Sequence, residues 1–147
     1  MGNERGGASR PPGGLASRLR MTLLRTSRKL RAEQAGQLSE THRSVLASVV
    51  TNGPFTPGEL AAREHVQPPS MTRTIRGLED AGLLARTTHP TDRRQVLVTA
   101  TEAGNAYIKE TRRRRDEWLA RRLKSLTPAE RQTLSDAEEI LRRITTQ

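Results

Sequence analysis

The residues best suited to chemistry lie between positions 70 and 76, where hydroxyl and guanidinium side chains alternate with apolar ones. Helical spacing places four of its polar residues, Ser70, Thr72, Arg73 and Arg76, opposite Met71 and Ile75. Arginine donates bidentate hydrogen bonds to guanine or phosphate, and serine and threonine suit phosphate and adaptable base contacts. The stretch therefore indicates nucleic-acid contact. The alternative for this stretch alone is an amphipathic helix with a solvated arginine face.

Enzymatic chemistry finds no support in the sequence. The three histidines, His42, His65 and His89, have no mutual spacing that builds a metal site, and the chain has no cysteine to join them. Ser70 lacks the G-x-S-x-G surroundings of a hydrolase nucleophile, and no glycine-rich loop follows a strand to hold nucleotide phosphates. We therefore expect a protein that is not an enzyme and uses no metal or cofactor.

The charge balance predicts a polyanionic partner. Lys and Arg number 26 against 16 Asp and Glu, which gives a net charge of +10, and the excess is mostly arginine. Codon usage in a GC-rich genome is the alternative explanation of this excess. The three aromatic residues, Phe55, Tyr107 and Trp118, are too few for a module that stacks single-stranded bases on aromatic rings. Double-stranded DNA is therefore favoured over single strands. It is also favoured over a membrane surface, because no single basic amphipathic helix is paired with Trp or Phe anchors.

The length of 147 residues fits one domain, and no apolar run approaches the ~18 residues of a membrane-spanning helix. Hydrophobic residues make up only 33% of the chain, so we expect it to finish burying its apolar surface against a second chain. Residues 1–14 contain five Gly and two Pro without apolar periodicity, which predicts a disordered arm. No secretory signal follows, so the cytoplasm is the expected location.

Apolar periodicity and capping residues predict the helices that position the polar residues. The predicted helices cover residues 15–35, 39–52, a short segment after Thr56, 68–80, 101–124 and 127–145. Thr56 with Glu59, and Thr127 with Glu130, have the spacing of capping boxes. Gly36 is the predicted stop of the first helix. The run Arg112–Arg115 spreads around its helix. This predicts a solvated helix in which some arginines pack or form salt bridges across a dimer, with a supplementary phosphate contact as the alternative.

Two β-prone runs, 83–88 and 95–99, flank a turn that contains Asp92, Arg93 and Arg94. A short helix, a tight turn, a second helix and a hairpin together make a winged helix-turn-helix, in which the second helix enters the major groove. The hairpin then reaches an adjacent groove. We therefore predict a mainly α protein with a small β-wing, in which helix 68–80 reads the DNA.

The stretch Leu38–Gly104 resembles the MarR family of bacterial transcriptional regulators. The matching pieces are LSETHRSVL, PFTPGELA, PPSMTRTIRGLEDAGLLAR and HPTDRRQVLVTATEAG. The run from Ser70 to Gly104, with its D-R-R and its V-x-A-T-x-x-G exit, carries the most specific signal. The helices on either side match the family's dimerisation helices by position only.

The resemblance implies a role for each predicted DNA-contacting residue. Ser70, Thr72, Arg73 and Arg76 fall where family members contact DNA from the recognition helix. Asp92 and Arg94 fall on the D-x-R motif of the wing, where the carboxylate helps to hold the tip and an arginine reaches the minor groove. A narrow minor groove attracts arginine, and either Arg93 or Arg94 could be the one inserted.

The resemblance also implies the domain organisation and the assembly. Residues 15–37 and 101–147 would form the dimerisation helices of a homodimer, and residues 38–100 the DNA-binding domain. The dimer would bind a pseudo-palindromic operator. Three positions depart from the family pattern: Gln67, where Asp or Ser usually caps the reading helix; His42, where Gln is common; and Ala100, where Leu is usual.

Control by a small ligand is the last implication of the resemblance. Family members often bind aromatic acids or phenols between the dimer helices and the winged domain, and here His42, Arg43, Tyr107 and one arginine of the first helix would lie near that crevice. The predicted function is therefore a repressor that a small aromatic acid or phenol releases from DNA. The alternative function is a ligand-independent architectural DNA-binding protein.

Overall fold

The computed structural model describes residues 13–33, 36 and 38–146, and this part of the chain folds as six helices and two strands. In chain order they are α1 (Leu15–Ala32), α2 (Glu40–Asn52), α3 (Pro57–Arg63), α4 (Pro68–Asp80), β1 (Leu84–Thr88), β2 (Val96–Ala100), α5 (Glu102–Leu123) and α6 (Pro128–Thr145). The predicted class, mainly α with a small β-wing, is confirmed. Most of the predicted disordered arm, residues 1–12, lies outside the described residues.

The helix starts follow the capping residues of the sequence. Thr56 accepts from the backbone N–H of Glu59 at 3.2 Å, and the Glu59 carboxylate accepts from the Thr56 backbone N–H at 2.8 Å. Thr127 and Glu130 repeat this capping box at the start of α6. The Thr56 N–H is the main reason why the pKa of Glu59 is lowered. At α4, by contrast, the side chain of Gln67 makes no capping hydrogen bond, so the weak cap expected there is confirmed.

The predicted end of α1 at Gly36 is wrong. The helix ends at Ala32, where the N–H of Glu33 bonds back to the carbonyl oxygen of Lys29 at 3.3 Å. Gly36 serves packing instead, because a Cβ there would lie 2.5 Å from the hydroxyl oxygen of Tyr107. The strands differ from the prediction by single residues at their ends.

The core lies between α2, α3, α4 and the wing. Its fully buried side chains include Val45, Leu46, Leu60, Ile75 and Val98. The two strands pair antiparallel, with Leu84 opposite Ala100 and Thr88 opposite Val96. Phe55 adds a short bridge to the same sheet, since its N–H and carbonyl both bond to Val98, at 3.2 and 2.7 Å. The wing is therefore tied to the loop before α3.

The start of α5 is fixed to the foot of the wing. Thr101 accepts from the backbone N–H of Gly104 at 3.0 Å and donates to the carbonyl oxygen of Gly82 at 2.7 Å. Any Cβ at Gly104 would overlap the carbonyl oxygen of Leu83, which itself accepts from the N–H of Thr101. This contact explains the T-x-x-G exit of the sequence, because only glycine fits beneath that backbone.

Helices α1 and α6 keep their apolar faces open. Neither helix buries a residue within the described chain. Leucines of α1 and Leu141 and Ile144 of α6 line a groove of about 760 Å³ between them. Ile144 is 59% exposed, so this apolar surface lacks a partner among the described residues.

Candidate DNA interface

Helix α4 separates an apolar face from a polar one, as the sequence predicts. Met71, Ile75 and Leu78 are fully buried, and Thr74 joins them by donating its hydroxyl hydrogen to the carbonyl oxygen of Ser70 at 3.1 Å. The opposite face is exposed along its length. Its side chains are Ser70, Thr72, Arg73 and Arg76. The structure thus places all four predicted residues on one accessible surface.

The two arginines of α4 are available to an external anion. Among the described residues, Arg73 and Arg76 make neither a salt bridge nor a side-chain hydrogen bond. Thr72 donates its hydroxyl hydrogen to the carbonyl oxygen of Pro68 at 3.0 Å. Near the end of the helix, Glu79 is paired with Arg86 of β1 at 2.8 Å, so its carboxylate does not oppose an approaching phosphate.

The turn between α3 and α4 is tight, and hydrogen bonds tie it to α2. His65 adopts a left-handed backbone conformation with φ of 53°, which makes the connection tight. Just before it, Glu64 accepts hydrogen bonds from Ser44, at 2.7 Å, and from Ser48, both on α2. These contacts fix the orientation of α3, and through the tight turn that of α4, relative to the core.

The wing tip is organised by Asp92. One carboxylate oxygen accepts from the backbone N–H of Arg94 at 3.0 Å, and the other accepts from the side-chain amide of Gln95 at 3.1 Å. The side chains of Arg93 and Arg94 are exposed beside this turn. The arrangement fits the predicted roles, a carboxylate within the tip and arginines outside it.

Sequence reasoning missed a second organiser of the tip, His89. Its Nδ1 accepts from the backbone N–H groups of Thr91 and Asp92, both at 3.3 Å. The sequence contained a signal for this role. In an Asx-type turn, a side-chain acceptor bonds to backbone N–H groups two or three residues later, and Thr91 and Asp92 stand at these distances from His89.

The predicted effector residues make separate contacts. The Nδ1 atom of His42 lies 2.6 Å from the hydroxyl of Ser39, and its Nε2 lies against α4, 2.7 Å from where a Cβ of Gly77 would be. Tyr107 is partly buried against the core, with its hydroxyl close to Gly36.

Arg43 belongs to a cationic cluster that combines three helices. Arg43 pairs with Glu40 and donates to the carbonyl oxygen of Leu38 at 2.7 Å. Its positive charge also lies close enough to Arg115 of α5 to lower the pKa of Arg115. Arg31 of α1 reaches the other oxygen of Glu40 at 3.5 Å. The cluster thus brings three guanidinium groups to one carboxylate.

Two hydrogen-bond donors of this cluster have no acceptor. The Nε atoms of Arg43 and Arg115 are buried, and neither has a partner in the described chain. Burial is the main reason why the pKa of Arg115 is lowered, and the charge of Arg43 is the next. The charges of Arg43 and Arg115 repel each other, and an anion added at the cluster would reduce this repulsion. The sequence pointed to one arginine of the first helix without choosing Arg31, and it did not place Arg115 in this cluster.

Taken together, α3, the tight turn, α4 and the β1–β2 hairpin define a winged helix-turn-helix protein. The sequence model of the MarR family matches residues 38–96. An uncharacterized HTH-type transcriptional regulator of Mycobacterium bovis is 44% identical over 86% of this chain and 90% of its own. The HTH-type transcriptional repressor MdtR of Bacillus subtilis is 35% identical over 58% of this chain and 56% of its own.

A solved structure from Pseudomonas aeruginosa aligns with a TM-score of 0.79 and 31% identity, covering 89% of this chain and 93% of the other. The chain belongs to the MarR family. It is a DNA-binding transcriptional regulator of that family, whose members bind DNA, are dimers and are not enzymes. Within the described residues, every helix is too short or too polar to cross a membrane.

Proposed function

We propose that the protein is a homodimeric transcriptional repressor that a small anionic ligand releases from DNA. The observation that carries the DNA-binding part is the exposed face of α4, on which Arg73 and Arg76 have no partner within the described chain. Helix α4 enters the major groove with Ser70, Thr72 and these arginines. The wing tip brings Arg93 or Arg94 to the adjacent minor groove. The repressor name of the Bacillus subtilis relative supports the direction of regulation.

The dimer supplies two reading heads for a pseudo-palindromic operator. The apolar faces of α1 and α6, together with α5, form the interface, and residues 38–100 form each DNA-binding unit. Residues 15–37 and 101–147 are then the dimerisation segments. Two half-sites about one helical turn apart match such a twofold arrangement. Because its target is DNA, the protein acts in the cytoplasm of its bacterium.

The effector is an anion, and an aromatic acid is the chemistry we favour. Its carboxylate would pair with the guanidinium groups of Arg43 and Arg115, whose charges repel each other in the described chain. His42 and Tyr107 are the candidates from the sequence for contact with its ring. For release, the ligand must prefer the spacing of reading heads that does not fit DNA. A tenfold loss of DNA affinity needs about 1.4 kcal/mol of coupling.

The test begins with a footprint of the protein on the DNA that flanks its own gene. A specific dimer protects a pseudo-palindrome and prefers it many-fold over random DNA, whereas an architectural protein shows no preference. Salicylate is then titrated into the complex at fixed ionic strength, with salicylamide as the uncharged matched control. Salicylate should weaken the complex, salicylamide should not, and Arg115→Met should remove the difference. If neither compound weakens the complex or raises the melting temperature of the free protein, release by an aromatic acid fails.

A further inference from the structure

The tip of the wing, residues 89–95, is held together by hydrogen bonds between its own backbone and side chains. The His89 N–H donates to the carbonyl oxygen of Gln95 at 3.1 Å, and the Gln95 N–H donates to that of Asp92 at 2.9 Å. Asp92 closes the distal half through its bonds to Arg94 and Gln95. The proximal half depends on a different side chain.

That side chain is His89. Its Nδ1 receives the backbone N–H groups of Thr91 and Asp92 at 3.3 Å each, and the hydroxyl of Thr91 lies 3.2 Å away. The donors share one ring lone pair, which is consistent with the length of these bonds. Backbone N–H groups only donate, so Nδ1 must be unprotonated and the ring proton must be on Nε2.

We propose that neutral His89 is a positioning residue for DNA binding: its Nδ1 orders the backbone of the wing tip so that Arg93 and Arg94 are presented in one orientation. The inference rests on the proposed contact between the wing and DNA. An ordered tip binds more tightly than a loose one, because a loose tip loses conformational entropy when it binds.

The test compares His89→Ala with His89→Asn at fixed ionic strength. The Asn side chain places an oxygen acceptor near the position of Nδ1. His89→Ala should lose about tenfold in operator affinity, and His89→Asn should stay within about twofold of the wild type.

A second measurement separates this inference from the proposed function. Hydrogen exchange at the Thr91 and Asp92 amides of the free protein should accelerate in His89→Ala and not in His89→Asn. If Arg93→Ala and Arg94→Ala both leave operator affinity unchanged, the proposed contact between the wing and DNA is wrong. The hydrogen-exchange result then still decides whether His89 orders the tip. Unchanged affinity in His89→Ala, together with loss in Arg94→Ala, overturns the role of His89 alone. Unchanged exchange in His89→Ala overturns it as well.

Discussion

At the scale of single residues, Arg73 and Arg76 bear most directly on how the protein reads DNA. Replacing either with Ala should cost about 1–3 kcal/mol of specific binding if the side chain contacts a base, and less if it meets only phosphate. Helix content should not change, because both side chains lie on the exposed face of α4. Gel-shift titrations against the footprinted operator and circular dichroism measure the two quantities.

Arg113→Ala is the matched control for the two arginine variants. It removes the same charge from a side chain that already pairs with Glu110 and Glu117 on its own helix. Its operator affinity should therefore stay near that of the wild type. Wild-type affinity in both Arg73→Ala and Arg76→Ala would contradict the assignment of α4 as the reading helix.

Glu110 gives a prediction about pH. Hydrogen bonds from Arg113 and then Arg114 lower its pKa from 4.5 to about 2. A carboxyl whose pKa is lowered by folding stabilises the folded state above its unfolded value and loses that effect as pH falls through its folded value. Glu110→Gln should therefore lower the melting temperature slightly at pH 7, and the difference should shrink between about pH 4.5 and pH 2.

Melting followed by circular dichroism at several pH values tests this expectation. The side chain is exposed, so the effect is small and added salt should reduce it. Glu138→Gln is the control, because the ion pair between Glu138 and Arg142 is longer, at 3.8 Å. A difference between wild type and Glu110→Gln that is as large at pH 3 as at pH 7 would rule out the proposed pairing.

Sequence patterns predicted side chains whose role depends on one local element. The buried face of α4 and the capping boxes at Thr56 and Thr127 are of this kind. Sequence reasoning did not choose Arg31 among the arginines of α1 and treated Arg115 only as part of the run Arg112–Arg115, because their shared cluster forms only where α1, α2 and α5 meet. Likewise, the four identical residues Arg112–Arg115 make different contacts in the structure. Arg112 donates to Thr51 at 2.8 Å, whereas Arg115 is partly buried in the cationic cluster.

At the scale of elements, the contact between α2 and α4 depends on a glycine. Alanine in place of glycine within a helix normally gains about 1 kcal/mol. At Gly77, however, the new Cβ would lie 2.7 Å from Nε2 of His42, so the ring must move away from Ser39. Gly77→Ala should therefore gain less than usual or lose stability, and should gain about 1 kcal/mol when His42→Ala is also present.

Urea unfolding of the two single variants and the double variant completes this cycle. A coupling free energy clearly different from zero is the expected result, since the two side chains would share one space. Strict additivity would mean that the His42 ring, or α4 itself, can move without cost. Operator affinity of Gly77→Ala reports whether such a movement reaches the DNA-contacting face.

Element boundaries show where sequence reasoning succeeds and where it stops. Caps set the start of α3 and α6 correctly, because the capping bonds join residues three apart. The end of α1 was predicted too late, because Gly36 is required by Tyr107, a residue 71 positions further along the chain. No local pattern contains that information.

At the scale of the whole molecule, the open faces of α1 and α6 predict an obligate partner. Ile144→Glu should place a charge on the groove between them and raise the dissociation constant of the dimer by at least about tenfold, or about 1.4 kcal/mol. Light scattering over a micromolar concentration series measures the mass. Thr145→Glu adds the same charge one residue later on the same helix and should leave assembly nearly unchanged.

The operator gives a second view of the same interface. A monomeric variant should protect one half-site only, and with lower affinity, because the two heads no longer bind as one unit. If wild-type protein is a monomer at micromolar concentration, or if Ile144→Glu remains dimeric, the interface does not lie on these faces. Sequence analysis could predict that apolar surface remains on these helices, but not that α1 and α6 share a groove.

The environment of Trp118 gives the protein a built-in optical reporter. It is the single tryptophan of the chain, it is 5% exposed on α5, and the guanidinium carbon of Arg122 lies 3.6 Å from its ring centre. Its indole N–H is buried without an acceptor among the described residues. Arg115, of the proposed anion site, lies one helical turn before it. Indole emission, excited where tyrosine does not absorb, should therefore respond to assembly and to anions without any attached dye.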